Sequence, residues 1–487
     1  MKLSPPLSAT LLRSRWLLPT AVAGAVGAGW LAGRAGVLVP GVLLAGTVLL
    51  FVLVLVFRVP RAGFIICIGY CFLISFLSRH LVDVSVGLAT EGLLLVTWLA
   101  VFFYRSDAPD WRRIQNSLCL LSLIWFIINL LELGNPAEAS LEGWYYEVRG
   151  TSLVWVLVVP LGCLLFKRKR DLNLFLYLTI GLSLVGALYG IKQKVLGVDE
   201  MEQLWLDQGG GLTHLIWGQL RVFSSYSDAA QFGCSQAHLA LICLILAVGP
   251  FTWQKRLLLA GTGLLLVYGM LISGTRSAFF VLVAGGFVYL TLSNRGRVLL
   301  LGCVLAAGIF FTLKYTTLGN SNQSIFRMRT ALDPNDPSLL VRLNNQAVLR
   351  EYLATRPFGG GVGVMGYWGT RYNPDKFLST IPPDSYFVKV WGEYGIVGFV
   401  VWLGIMLFIL GKCAGIIWRI RDPVLRQKLL ALTAGFGGIL AASYGNEIIN
   451  QMPSAIIVYV SWVFVFLGPS LDTPSSDSLA LAPNAHA

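Results

Sequence analysis

Charge is scarce in this 487-residue sequence: Asp, Glu, Lys and Arg together supply 13% of it, against 56% hydrophobic residues and a mean hydropathy of +0.71. No soluble domain of ordinary size fits that balance. Acidic residues are scarcer than basic ones, 24 against 37, which leaves a net charge of +13. The basic clusters are short, sit between apolar runs and lack interleaved aromatics for base stacking, which argues against nucleic acid as a partner. The eight cysteines stay out of the long polar connections, so no disulfide framework is evident. Cys67 and Cys71 share a helix face but have no His or carboxylate partners, so they read as small packing residues rather than metal ligands. The glycines from Gly359 to Gly366 match no nucleotide-binding spacing.

Long apolar runs are what the chain does have. Between Leu17 and Leu467 they number about fourteen, each near the roughly 17 to 25 residues needed to cross a ~30 Å hydrocarbon core. They fall near 17–33, 36–57, 62–79, 86–104, 116–133, 151–166, 173–190, 233–250, 256–273, 276–292, 297–314, 390–411, 427–445 and 454–468. A bilayer offers peptide groups no water, and these runs show no alternating polarity, so they must be helices. The expected fold is all-α, a polytopic transmembrane bundle. Its organisation reads as N-terminal spans over 1–190, a first long external loop over 191–232, central spans over 233–314, a large external loop over 315–389, C-terminal spans over 390–468 and a disordered cytoplasmic tail over 469–487.

With the N-terminus inside, every cytoplasmic connection is basic: Arg58 and Arg61; Arg105, Arg112 and Arg113; Lys167 to Arg170; Lys255 and Arg256; Arg295 and Arg297; Lys412 to Lys428. The early external connections carry Glu132, Glu138, Glu142 and Glu147, the asymmetry that the positive-inside rule expects. Leu17 to Gly33 follows Lys2, Arg13 and Arg15 and reads as a retained first helix rather than a signal peptide.

Several arginines break this charge rule. Arg221 lies in the first external loop, Arg276 at the outer mouth of a hairpin, and Arg327, Arg329, Arg342, Arg350, Arg356 and Arg371 in the second loop. A guanidinium is a planar fork of donors that stays charged, so several gathered at an outer interface suit a lipid-linked diphosphate. Solvated pairing with Asp333, Asp336, Glu351 or Asp375 is the preferred reading for Arg327, Arg329 and Arg371. Arg276, between two apolar spans, is too costly for that reading unless it faces a cavity or a partner. In the second loop, VRLNNQAVLREYLA predicts an amphipathic helix with Val341, Leu343, Val348 and Leu349 towards the membrane surface. A Gly-rich turn follows, in which Gly359 to Gly361 shape the site wall.

From Arg221 to Leu410 the order of motifs resembles the O-antigen ligase and polysaccharide polymerase superfamily of bacterial inner membranes: RVFSSYSDAAQFG, then SGTRSA, then Arg342, RPFGGGVG and DSYFVKVWGEYGIVGF. The resemblance implies transfer of a glycan from undecaprenyl diphosphate to an acceptor hydroxyl on the outer face, with no cofactor, nucleotide sugar or metal. The acceptor would be another glycan or a lipid A core, and membrane lipid the surrounding partner. Carried over by position, Arg221, Arg276 and Arg342 would bind and neutralise the diphosphate leaving group. Arg350, Arg356, Asp228 and Tyr386 are further substrate-binding candidates, by their place in the loops and at the start of the next helix rather than by that carry-over. Where family members commonly have His, this chain has Asp384, which either takes the acceptor's proton or pairs with an arginine. Asp228 and Glu393 are further carboxylates; a loop hydrogen bond and a helix-end charge are their ordinary readings. His214 reads as a solvated loop histidine. A transporter or flippase is the competing class, and it calls for ionisable residues near the bilayer midplane, which these spans nearly lack.

Overall fold

The computed structural model describes residues 38–472, apart from 82–85, 104–108, positions 138 and 217, and most of 294–336. The expected span 17–33, most of 297–314, and the tail beyond Asp472 lie outside the described residues, as do Glu138 and Arg327. Elsewhere the apolar runs are helices: α1 (Leu38–Arg58), α2 (Pro60–His80), α3 (Leu88–Phe103), α4 (Ser117–Leu131), α5 (Leu141–Leu165), α6 (Lys169–Leu196), α7 (Ala229–Ala247), α8 (Trp253–Ile272) and α9 (Arg276–Leu292). After the second long loop come α12 (Tyr386–Arg419), α13 (Pro423–Ala442) and α14 (Ser454–Phe466). Within that loop lie α10 (Pro337–Leu353) and α11 (Gly366–Tyr372).

Nine of the described helices are long and apolar enough to cross a membrane, and α3, α9 and α14 are shorter apolar helices. The expected number of about fourteen is therefore not established. The class is nearly all-α; among the described residues the exception is an antiparallel pair of two-residue strands, β1 (Leu215–Ile216) and β2 (Gln219–Leu220). The span expected at 151–166 starts earlier, because α5 begins at Leu141 behind the Ser140 cap and runs through a π-helical turn at Arg149–Leu153. Hydropathy alone misses that extension, since Glu142, Glu147 and Arg149 interrupt the apolar run.

Burial sorts the bundle into centre and rim. The apolar window of α7 is 89% buried and that of α13 72%, against 6% for α1. Lipid tails are as apolar as leucine, so central helices are held by close packing rather than by escape from water. Small residues allow it: a Cβ on Gly285 of α9 would strike the Leu241 side chain and the Ala434 carbonyl, and one on Gly438 of α13 would strike the Val281 carbonyl. Trp462 of α14 meets Phe436 of α13 edge-on at 4.9 Å. The seven described cysteines are buried free thiols.

The second long loop, expected to be external, folds on a small core of its own. Leu349 and Leu353 of α10 pack with Val364, Met365, Leu378 and Ile381. Leu349 thus faces protein, not the membrane surface expected of it, whereas Val341, Leu343 and Val348 stay exposed.

The glycine turn is held by α12. Gly360 and Gly361 donate to the carbonyls of Gly392 and Glu393 at 2.9 Å each, and the buried Glu393 carboxylate accepts from the Gly363 N–H at 3.1 Å and Met365 N–H at 3.4 Å. Glu393 is therefore a clamp on this turn rather than a helix-end charge. The axis of α12 breaks just beyond it, at Gly395, whose φ of 66° and ψ of −170° suit only glycine. A Cβ there would strike the Pro357 carbonyl and the Gly359 nitrogen. Gly395→Ala is expected to cost about 1–3 kcal/mol from the backbone alone. A clear fall in the thermal unfolding midpoint in detergent checks this; an unchanged midpoint would contradict it.

Candidate functional site

A cavity of about 930 Å³ opens where α13 ends and α7 and α9 begin, and its wall includes Arg221, Asp228, Arg276, Arg342 and Asp384. The start of α13 is the opposite, basic end: there the Lys169 ammonium lies 2.6 Å from Asp422, and Lys428 donates to Asn173 at 2.6 Å. About 30 Å of helix separates the two, at 1.5 Å per residue over the 20 residues of α13.

Each cavity arginine arrives on a different element. Arg221 follows β2, and its backbone N–H donates to the His214 carbonyl at 2.8 Å. Its guanidinium donates to the Thr213 carbonyl at 2.9 Å and to the Thr275 hydroxyl at 3.2 Å. Thr275 in turn donates to the Ala229 carbonyl at 2.8 Å and stands at the N-cap of α9, so it links Arg221 to the turn that presents Arg276. Arg342 comes from α10 and reaches the Gly445 carbonyl at 3.1 Å, tying the second long loop to the segment after α13. The N-terminus of α9 adds the positive end of a helix dipole beside Arg276.

The carboxylates differ in how they are engaged. Asp228 caps α7, accepting from the Ala230 and Gln231 N–H groups at 2.7 and 2.9 Å and from the Ser227 hydroxyl at 3.0 Å. Asp384 is half-buried after Pro382 and Pro383, and its side chain makes no hydrogen bond or ion pair among the described residues. Glu447, also in the wall, accepts from Lys389 at 3.0 Å; the same ammonium donates to Glu147 at 2.8 Å. Burial pushes the Glu447 carboxyl up, against the pull of Lys389.

Other expected residues lie elsewhere. Arg350 is exposed on α10, and Arg356 is exposed with its guanidinium 4.0 Å from the Tyr352 ring centroid; neither reaches the cavity wall. Tyr386 is buried, donates its N–H to the Ser443 carbonyl at 3.0 Å and meets Trp402 edge-on, also away from the wall. Gly359 to Gly361 pack on α12 rather than on the cavity. His214, expected in solvent, is buried in the wall. Its Nδ1 lies 2.9 Å from the Gly210 carbonyl and so carries the proton, while Nε2 accepts from the Ala229 N–H at 3.1 Å. Burial lowers its pKa, so it is a neutral brace with both ring nitrogens occupied.

Two features escaped sequence reading. Arg79, ordinary as a helix-end charge, donates to the Tyr226 and Ser224 carbonyls at 2.6 and 2.7 Å and lies 4.9 Å from the Phe223 ring, holding the loop that carries Arg221. The Lys389–Glu147 pair, 5% and 4% exposed, joins residues 242 apart in the chain. Its visible trace was a lysine inside the apolar stretch YFVKVWG.

Residues 261–403 match the family model described as O-antigen ligase. That stretch runs from α8 into α12 and contains Arg276, Arg342 and Asp384. No curated protein matches the chain.

Because the Asp228 carboxylate is the cap of α7, Asp228→Ala is expected to cost about 0.5–2 kcal/mol of stability, whereas Asp228→Asn keeps most of it. Thermal melts of the two variants check this. Equal midpoints for Asp228→Ala and the parent would show that the cap contributes nothing.

Proposed function

We propose that this chain, O-antigen ligase-like through residues 261–403, is a membrane glycosyltransferase. It moves a glycan from an undecaprenyl-diphosphate carrier to an acceptor hydroxyl on the outer face of the bacterial inner membrane, with both termini cytoplasmic. The observation that carries this reading is the shared cavity: Arg221, Arg276 and Arg342, from three separate elements, line one space at the ends of the spans. A donor set of planar cations beside a helix N-terminus suits two adjoining phosphates better than any neutral ligand.

The surroundings support a lipid-borne donor. An apolar slot of about 220 Å³, lined by Phe387, Val388, Trp391, Ile396 and Phe399, adjoins the cavity at Tyr444, which lines both. An isoprenoid chain fits there with its diphosphate among the arginines. The reaction then needs little machinery. The acceptor oxygen attacks the anomeric carbon, the bond to the diphosphate oxygen breaks, and the arginines stabilise the charge that builds on the leaving group. Asp384, unpaired and facing the cavity, takes the hydroxyl proton. One displacement inverts the anomeric configuration. A finished glycan passed to a lipid A core and a repeat unit passed to another glycan are the same chemistry at this site.

The test is reconstitution with a lipid-linked glycan donor and candidate acceptors. Arg276→Ala and Arg342→Ala are each expected to lower turnover by about 10²–10³-fold, Asp384→Asn to lower it strongly, and Arg419→Ala at the opposite end to leave it unchanged. Undiminished turnover in both cavity-arginine variants would remove the leaving-group site. A product with the donor's own anomeric configuration would rule out the single displacement. Sizing surface glycan after gene deletion separates the two acceptors: full-length chains left on the carrier mark a ligase, single repeats a polymerase.

A further inference from the structure

The pair formed by Lys389 and Glu147 stands outside the chemistry just described, and it is expensive. Both groups are almost wholly buried at the outer end of a membrane bundle, where a charge is retained only with a partner or a task. Lys389 also holds a second carboxylate, Glu447, 18% exposed and in the cavity wall. Two carboxyl groups thus share one ammonium. The Glu447 oxygen bound to Lys389 is Oε2; Oε1 has no hydrogen-bond donor among the described residues and lies 3.7 Å from where a Cβ on Gly366 would stand.

The neighbours of Glu447 fix where its segment runs. Gly445 accepts from Arg342, and Asn446 donates to Ser277, the residue after Arg276. The segment therefore passes from one diphosphate-facing arginine to the other, and its carboxylate comes next. A lone carboxylate oxygen beside a cationic pocket repels phosphate and suits a hydroxyl donor. Asn446 and Gln451 in the same wall offer further partners of the kind sugars use.

We propose that Glu447 is the acceptor subsite: its free oxygen receives a hydrogen bond from a hydroxyl of the incoming saccharide, and Lys389, anchored by Glu147, is the positioning residue that aims it. This rests on the glycosyl-transfer reading and adds to it which wall takes the acceptor. Glu447 here binds rather than takes the proton, which remains with Asp384. A charge-assisted bond of this kind orients as well as attracts, since the carboxylate cannot rotate without leaving Lys389.

The experiment uses the full chain in nanodiscs with a lipid-linked repeat-unit donor and, as acceptor, the oligosaccharide released from the same repeat unit. Glu447→Gln is expected to raise the acceptor KM at least tenfold and leave the donor KM within twofold. Lys389→Met should shift the same constant in the same direction, and Lys389→Arg should restore much of it. Direct binding of the released oligosaccharide, followed by titration calorimetry, should weaken in parallel. An unchanged acceptor KM in Glu447→Gln with the parent's unfolding midpoint overturns the inference, as does an equal rise in both constants, which marks a purely structural role. Those results leave the diphosphate site standing if Arg276→Ala is still inactive. A parent protein that turns over with neither the released oligosaccharide nor a lipid A core as acceptor overturns both readings.

Discussion

Hydrocarbon cannot hydrogen-bond a peptide group, and that constraint arranges everything else in this molecule. Within the spans the backbone must pair with itself, so irregular chain and most of the charge gather at the helix ends. One end carries Lys169, Asp422 and Lys428. The other carries the β1–β2 hairpin, the turns after α8 and α13, and the second long loop, held by α12. The cavity exists because several elements must stop at one level, and their unpaired ends and arginine side chains meet there.

Much of this was legible beforehand. Hydropathy located every described span, since a run of leucine, valine and glycine has one physical solution in a bilayer. The sign of the loops picked out Arg221, Arg276 and Arg342 as misplaced charges, and all three line the cavity. What failed to show was anything set by contact rather than by position. Arg350 and Arg356 break the same charge rule yet are exposed, Arg350 because a helix shows opposite faces at short intervals and charge alone does not say which, Arg356 because it lies past the helix end over the Tyr352 ring. His214 looked solvated because its partners are backbone groups, Gly210 and Ala229, which carry no signature. Glu147 looked like one more external acid; its partner is 242 positions away.

Lys389 illustrates how cost and purpose separate. Removing one member of a buried ion pair commonly costs about 3–5 kcal/mol, while a well-packed apolar replacement of the whole pair is often as stable. Stability therefore does not explain why α12 carries a lysine and Glu393 on one face, both buried, and both tied to polar groups of the second long loop or the cavity rim. Fixing the loop relative to the bundle does: Glu393 secures the glycine turn by its N–H groups, and Lys389 secures the wall opposite by Glu447.

The break at Gly395 lets one helix serve two partners. Beyond it, α12 shows Val400, Leu407 and Phe408 to the outside and buries Trp402, Ile405, Ile409 and Cys413 in the bundle, so its tilt is set by those neighbours. Before it, the short piece from Tyr386 answers to the glycine turn instead. A change of direction that only glycine can make lets the long rod lie as the bundle requires while the headpiece lies as the turn requires, with the Pro357 carbonyl and the Gly359 nitrogen packed against the joint.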